Sequence, residues 1–176
     1  MTDRTRALIP RDKAEAIRLL ILDVDGVLTD GQFLLTEQGE ELKSFNTKDG
    51  YGLRMLMAEG IEVALISGRN SKAVDFRARD LGIHEVHQGV QDKGPFCERI
   101  IGERNLRRDQ VCCVGDDLPD LPLFEHSGIS FAVSDASPAV KALANYTTRQ
   151  RGGHGAVREV CEAILESRGK KLFGGE

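Results

Sequence analysis

Apolar residues in this chain gather into short runs, separated by longer stretches in which apolar and polar positions alternate with helical spacing. The runs Arg18–Val24, Ile61–Ile66, His84–Val86, Gln110–Val114 and Ile129–Val133 are rich in Leu, Ile and Val. That is the pattern of strands covered on both faces of a sheet. Residues 70–80 and 92–104 read as helices with Asn70 and Asp92 as caps, and Ser137 sets a cap residue before Pro138, which suits a first helical turn. A last helix is predicted from about Ala156 to Ser167. The alternation of strand and helix predicts an α/β fold, a parallel sheet with helices on both faces, in one domain spanning residues 1–176.

One segment breaks that rhythm. Between Gly31 and Asn46 the chain reads as two short strands, Gln32–Thr36 and Glu41–Phe45, around the turn Glu37-Gln38-Gly39-Glu40. This 31–46 β-hairpin follows the first strand, so it hangs over the strand's carboxyl end, where open α/β sheets bind their ligands. It is expected to act as a substrate flap or a subunit contact. No insertion is long enough for a large cap domain, no repeat or low-complexity segment occurs, and residues 150–176 form a tail and a helix.

Composition narrows the function classes. A chain of 176 residues with 40% hydrophobic content is the length of one ordinary domain. Its 28 acidic and 24 basic residues give a net charge of −4, which argues against the broad basic surface of a nucleic-acid binder but leaves room for a small anionic substrate in a locally positive cleft. The N-terminal residues are polar and charged, without a secretory apolar core, and no apolar stretch approaches a membrane span. A cytoplasmic protein with no membrane partner is therefore expected. Cysteines at 97, 112, 113 and 161 lack metal-binding spacing and read as packing thiols. His84 and His87 read as ordinary surface residues of a short strand.

The chemistry collects at strand ends. The first strand runs into Asp23-Val24-Asp25-Gly26, and the fourth into Gly115-Asp116-Asp117-Leu118-Pro119-Asp120. A lone acid at such a position is ordinarily a cap or turn residue. Two acidic clusters on two apolar strands would be costly to bury unless a hard cation were held among the carboxylates. Ser67-Gly68-Arg69 follows another strand and Lys93 opens a helix. A hydroxyl, a backbone N–H and an ammonium suit an anionic phosphoryl group.

Together, DVDGVLTDG at 23–31, ISGR at 66–69, Lys93 and GDDLPD at 115–120 resemble the four motifs of haloacid-dehalogenase-type phosphotransferases, in order. FNTKDGYGLR at 45–54, the hairpin, SDASPAV at 134–140 and RGGHGAVRE at 151–159 further resemble the 3-deoxy-D-manno-octulosonate 8-phosphate (KDO 8-phosphate) phosphatase family, over roughly residues 15–165. The resemblance implies the Rossmann-like haloacid-dehalogenase fold and a Mg²⁺-dependent phosphatase of lipopolysaccharide precursor synthesis. It implies Asp23 as nucleophile and Asp25 as acid–base. Mg²⁺ would be held by Asp23, the backbone carbonyl of Asp25, and Asp116. Ser67, Gly68 and Lys93 would hold the phosphoryl group, with Asp117 and Asp120 orienting metal waters or Lys93. Asn46, Thr47, Lys48, Asp49, Gly50, Arg54, Arg69 and Arg77 would contact a small phosphorylated sugar acid. A homotetramer is implied, with the Gly152–Gly155 stretch reaching a neighbouring active site.

For Asp117 and Asp120 a turn role stays open, and Arg77 and Arg79 also fit the wet face of a helix. Two other functions stay open as well: a phosphatase for a nine-carbon sugar acid phosphate, and a non-enzymatic phosphate-responsive module. A receiver of that second kind carries no DxD at its first strand, whereas this chain keeps both Asp23 and Asp25.

Overall fold

The computed structural model describes residues 9–172. The first eight and last four residues, parts of the expected N-terminal segment and tail, lie outside the described residues. Six parallel strands form one sheet: β1 (Leu19–Leu22), β4 (Glu62–Ile66), β5 (Glu85–His87), β6 (Val111–Gly115), β7 (Ile129–Ala132) and β8 (Tyr146–Thr147), in the order β5-β4-β1-β6-β7-β8. Strands β2 (Leu34–Leu35) and β3 (Glu41–Leu42) pair antiparallel as the hairpin. The helices are α1 (Arg11–Ala16), α2 (Thr47–Ala58), α3 (Lys72–Leu81), α4 (Lys93–Glu103), α5 (Leu121–Glu125), α6 (Pro138–Leu143) and α7 (Ala156–Ser167).

Strand β1 sits at the centre, and its four side chains have no exposure at all. Each apolar side chain buried there is worth about 1.5–3 kcal/mol over leaving it in water. A polar residue is therefore excluded until the chain leaves the sheet, which it does at Asp23. The four cysteines are free and buried, as expected of packing thiols. Among the described residues no helix is long and apolar enough to cross a membrane.

Three elements differ from the sequence reading. The hairpin strands are two residues each, shorter than Gln32–Thr36 and Glu41–Phe45, because only Leu34–Leu35 and Glu41–Leu42 keep ladder pairing. At the start of helix α3 the N-cap position is held by Ser71, not Asn70, without a side-chain cap bond: Ser71 N–H donates to Gln88 Oε1 at 2.7 Å, while the Asn70 side chain lies against Gly89. His84 precedes β5 rather than lying on it.

Helix α2 has no counterpart in the predicted elements, because Gly50 and Gly52 lower its helical propensity. Both glycines lie close to neighbouring side chains. A Cβ at Gly50 would stand 2.2 Å from Arg77 Nη2, and one at Gly52 would stand 3.0 Å from Arg158 Cδ on α7. Asn46 begins the helix, its side chain accepting from Lys48 N–H at 2.8 Å.

Candidate active site

Register brings the motifs together. Leu22 of β1 lies opposite Leu65 of β4 and Val114 of β6, so one or two residues further on Asp23, Ser67 and Asp116 leave the sheet side by side. They line a cleft of about 270 Å³ with Asp25, Gly68, Arg69, Lys93 and Asp117.

Lys93, the first residue of α4, is buried and bridges two carboxylates, donating to Asp23 Oδ1 and Asp120 Oδ1 at 2.6 Å each. Asp92 fixes the helix start by accepting from Gly94 N–H at 3.2 Å. The other Asp120 oxygen accepts from Asp116 N–H at 2.9 Å, so Asp120 ties the lysine to the acidic turn. Asp117 is a turn residue, accepting from Leu118 N–H at 2.9 Å while also lining the cleft. Ser67 is buried, its Oγ accepting from Arg69 N–H at 3.2 Å.

Two glycines permit this closeness. At Gly26, with φ +97°, an added Cβ would stand 2.1 Å from Asp116 Oδ2. At Gly152 it would stand 1.7 Å from the Gly26 carbonyl oxygen, and Gly153 N–H donates to Val27 O at 3.0 Å. Gly152 and Gly153, of the stretch expected to reach a neighbouring active site, are seated against the turn after β1 of their own chain. Only glycine allows backbone to approach backbone that closely.

Carboxylate oxygens of Asp23, Asp116 and Asp120 lie within 4.8 Å of one another. Burial, then the charge of Asp120, pushes Asp23 up to about 7, although Lys93 opposes the rise. Burial, then Asp23 and Asp120, pushes Asp116 up to about 8. Burial works against the charge of Lys93, but Asp23 and Asp120 outweigh it, so its pKa is raised. Three acids facing one lysine leave surplus negative charge, and the donors are hard oxygens; both features fit a divalent cation such as Mg²⁺. Both oxygens of Asp120 are already engaged, which leaves Asp23 and Asp116 as the available carboxylate ligands.

The expected substrate residues divide. Ser67, Gly68, Arg69 and Lys93 line the acidic cleft. Thr47, Gly50, Arg54 and Arg77 line a second hollow of about 230 Å³. Lys48 lines a third, beside His154 and Arg158. Arg77 is half-buried, donating to Asn46 O at 3.2 Å and to the exposed Asp80 Oδ2 at 2.8 Å, whereas Arg79 lies over the exposed Phe76 ring. Asn46 caps α2, and its Nδ2 also donates to Gly153 O at 3.4 Å. Asp49 is buried and caps α7 from outside, accepting from Arg158 N–H at 2.7 Å and Gly155 N–H at 3.3 Å.

The sequence reading missed Lys43 and Glu41. Lys43 reaches back from the end of the hairpin with its side chain 1% exposed, bonding Asp25 Oδ1 and standing 2.9 Å from Glu41 Oε1. Arg69 donates to Glu41 Oε2 at 3.1 Å and lies 4.0 Å over the Phe33 ring. No local pattern could have revealed these contacts, because Lys43 and Asp25 are 18 residues apart.

Known proteins resemble this chain over most of its length. Residues 82–160 match the haloacid dehalogenase-like hydrolase model. The chain is 49% identical to 3-deoxy-D-manno-octulosonate 8-phosphate phosphatase KdsC of Escherichia coli K12 over 158 residues, 90% of this chain and 84% of that one. The crystal structure of the phosphatase of that name from Yersinia pestis superposes with a TM-score of 0.88 at 46% identity, covering 91% of this chain and 86% of that chain. The Moraxella catarrhalis enzyme, solved in complex with magnesium ion, phosphate ion and a KDO molecule, superposes with a TM-score of 0.87 at 40% identity, covering 90% and 91%. With its parallel sheet, its ordered motifs and relatives matched over nearly their whole length, the chain belongs to the 3-deoxy-D-manno-octulosonate 8-phosphate phosphatase family of haloacid dehalogenase-like hydrolases.

Proposed function

We propose that this chain is a Mg²⁺-dependent phosphatase that hydrolyses 3-deoxy-D-manno-octulosonate 8-phosphate to KDO and inorganic phosphate, in the synthesis of lipopolysaccharide precursors. The observation that carries the reading is the meeting of Asp23 and Asp116 with Lys93 and Ser67 in one cleft. A carboxylate nucleophile and a phosphate dianion repel, so in-line attack requires positive charge at the point of contact.

Asp23 attacks phosphorus, forming a P–O bond to its carboxylate as the bond to the sugar oxygen breaks, and Asp25 gives its proton to that leaving oxygen. Ser67, the Gly68 amide and Lys93 hold the phosphoryl oxygens. Asp25, now ionised, then takes a proton from water as the water attacks the aspartyl-phosphate, which releases phosphate and restores Asp23. When bound, Mg²⁺, held by Asp23, Asp116 and the Asp25 carbonyl, supplies charge neutralisation for the attack. Asp120 orients Lys93.

Released phosphate, measured on the eight-carbon 8-phosphate and a nine-carbon sugar acid 9-phosphate with and without chelator, tests the function. Expected is chelator-sensitive release with the higher kcat/KM on the eight-carbon ester. A preference for the nine-carbon ester would move the assignment within the class, and no release from either would favour a binding module.

Metal binding has a thermal signature. Asp23 and Asp116 carry pKa values of about 7 and about 8 in the fold against an ordinary 3.8, so the metal-free fold holds more protons than the unfolded chain across that window. Stability of the metal-free protein is therefore expected to fall as pH rises from about 4 toward 8. Mg²⁺ binds the ionised form, so its gain in Tm is expected to be larger at about pH 8 than at about pH 6. A gain that shrinks with rising pH in scanning fluorimetry would contradict this.

The chain works as one domain with a 31–46 flap and a C-terminal tail and helix, of which Gly152 and Gly153 lie beside the site, in the cytoplasm, where its four free buried thiols suit a reducing setting. We assign it a homotetramer. Phe33, Leu34, Leu35 and Leu42 of the hairpin are 44–66% exposed, apolar side chains that a neighbouring subunit would cover. In that assembly Arg54 and Arg77 contact the sugar acid carboxylate. Light scattering is expected to give four times the mass of one chain, and a fully active monomer would overturn the assignment.

A further inference from the structure

Lys43 is not part of the catalytic apparatus described so far, yet its environment is unusual. Its side chain is 1% exposed although the hairpin that carries it is a surface element, and its ammonium bonds Asp25 Oδ1 and lies 2.9 Å from Glu41 Oε1. Burying an ammonium in a short exposed hairpin is costly unless its partners recover the loss. Phe33 of the same hairpin closes over it, the ring centroid 5.1 Å from Nζ, and the opposite end of the bridge is tied down by Arg69, which pairs with Glu41 at 3.1 Å. The chain Asp25–Lys43–Glu41–Arg69 thus joins the turn after β1, the hairpin and the turn after β4, its two ends lining the cleft.

Resting on the acid–base reading of Asp25, we propose that Lys43 is a positioning residue for that carboxyl group, making the hairpin part of the catalytic apparatus of its own subunit. As the bond between phosphorus and the leaving oxygen breaks, Asp25 passes its proton to that oxygen and becomes a carboxylate. The ammonium fixed beside Oδ1 holds the carboxyl in one rotamer, so that the remaining oxygen faces the substrate.

The test exploits leaving-group chemistry. An alkyl ester such as a sugar phosphate needs a proton as it departs, whereas p-nitrophenyl phosphate expels a stable anion and needs little help. The quantity to compare is kcat/KM, because it reports the step in which the leaving group departs and not the later hydrolysis. Lys43→Met is expected to lower kcat/KM on the sugar acid phosphate about 10- to 100-fold more than on p-nitrophenyl phosphate, a fraction of the ~10²–10⁴ that general acid catalysis supplies. Asp25→Asn should shift the same ratio further. In the Asp25→Asn background Lys43→Met should cost nothing more on the alkyl ester, since its effect passes through Asp25.

Equal losses on both esters, or a loss that adds fully in the double variant, would mean that Lys43 only seats the hairpin, and the proposal would fall. If Asp25→Asn itself left the ratio unmoved, the acid–base role of Asp25 would fall first and the proposal with it, a result distinguishable from the other two. Should Lys43→Met melt below assay temperature, Lys43→Arg is read by the same ratio. It keeps the charge but moves the donor, and is expected to lower the ratio by less than about 10-fold from the parent's; a ratio in the folded variant as low as that of Asp25→Asn counts against positioning.

Discussion

Replacing Asp23 by Asn is expected to abolish turnover, lowering kcat by about 10⁴-fold or more, as removal of a covalent nucleophile does elsewhere. The amide has the shape of the carboxylate but cannot form the acyl phosphate. The same substitution should leave the metal-free protein at least as stable as the parent at about pH 8, because it deletes a charge whose ionisation is opposed by burial and by Asp120. Differential scanning calorimetry beside a phosphate-release assay reads both effects at once. An active Asp23→Asn enzyme would remove the covalent mechanism. An inactive but strongly destabilised one would mean that the Asp23–Lys93 pair contributes more to stability than burial takes away.

Lys93→Met is expected to move stability the opposite way. Among the described residues Lys93 is the one cation bonded to both Asp23 and Asp120, and its loss leaves those carboxylates and Asp116 facing one another in a buried site. Breaking a buried ion pair by removing one partner costs about 3–5 kcal/mol. The penalty should be worst above about pH 7, where Asp23 ionises, and smaller in acid, where protonation relieves the repulsion. Activity should fall by about 10²-fold or more through loss of a phosphoryl-oxygen donor. Mg²⁺ should restore part of the stability and little of the activity. A variant as stable as the parent at every pH would show that the acids do not depend on this lysine.

These opposite signs rest on one fact of topology. Asp23 and Asp120 are far apart in sequence, and each alone at a strand end would pass for a turn residue. Lys93 turns them into one electrostatic unit, with 70 residues separating it from Asp23 and 27 from Asp120. The same arrangement shows why Gly115 is glycine: a Cβ there would stand 2.5 Å from Asp120 Cβ and would push away the carboxylate that holds both Lys93 and the Asp116 amide.

The strands β1, β4, β6 and β7 were legible because a strand covered on both faces must be almost wholly apolar, and only such runs occur there. The acids at their ends were legible for the complementary reason: the run stops where charge begins. Helix α2 was not, since Gly50 and Gly52 obey the side chains of Arg77 and Arg158, a demand that exists only once α2 meets α3 and α7. Strand β8 is two residues long and pairs only because β7 is there to receive it.

The sequence by itself therefore determined the α/β layering, the acidic strand ends and the order of the motifs, because these follow from local hydrophobic runs and short spacings. Only the tertiary structure decided which charges pair. It set Lys93 between Asp23 and Asp120, brought the hairpin's Lys43 onto Asp25, and turned Asp49, expected at the substrate, into the cap of α7. Charge pairing depends on distances of a few ångströms between residues remote in sequence, and those distances are fixed by sheet register and helix packing, not by any pattern along the chain.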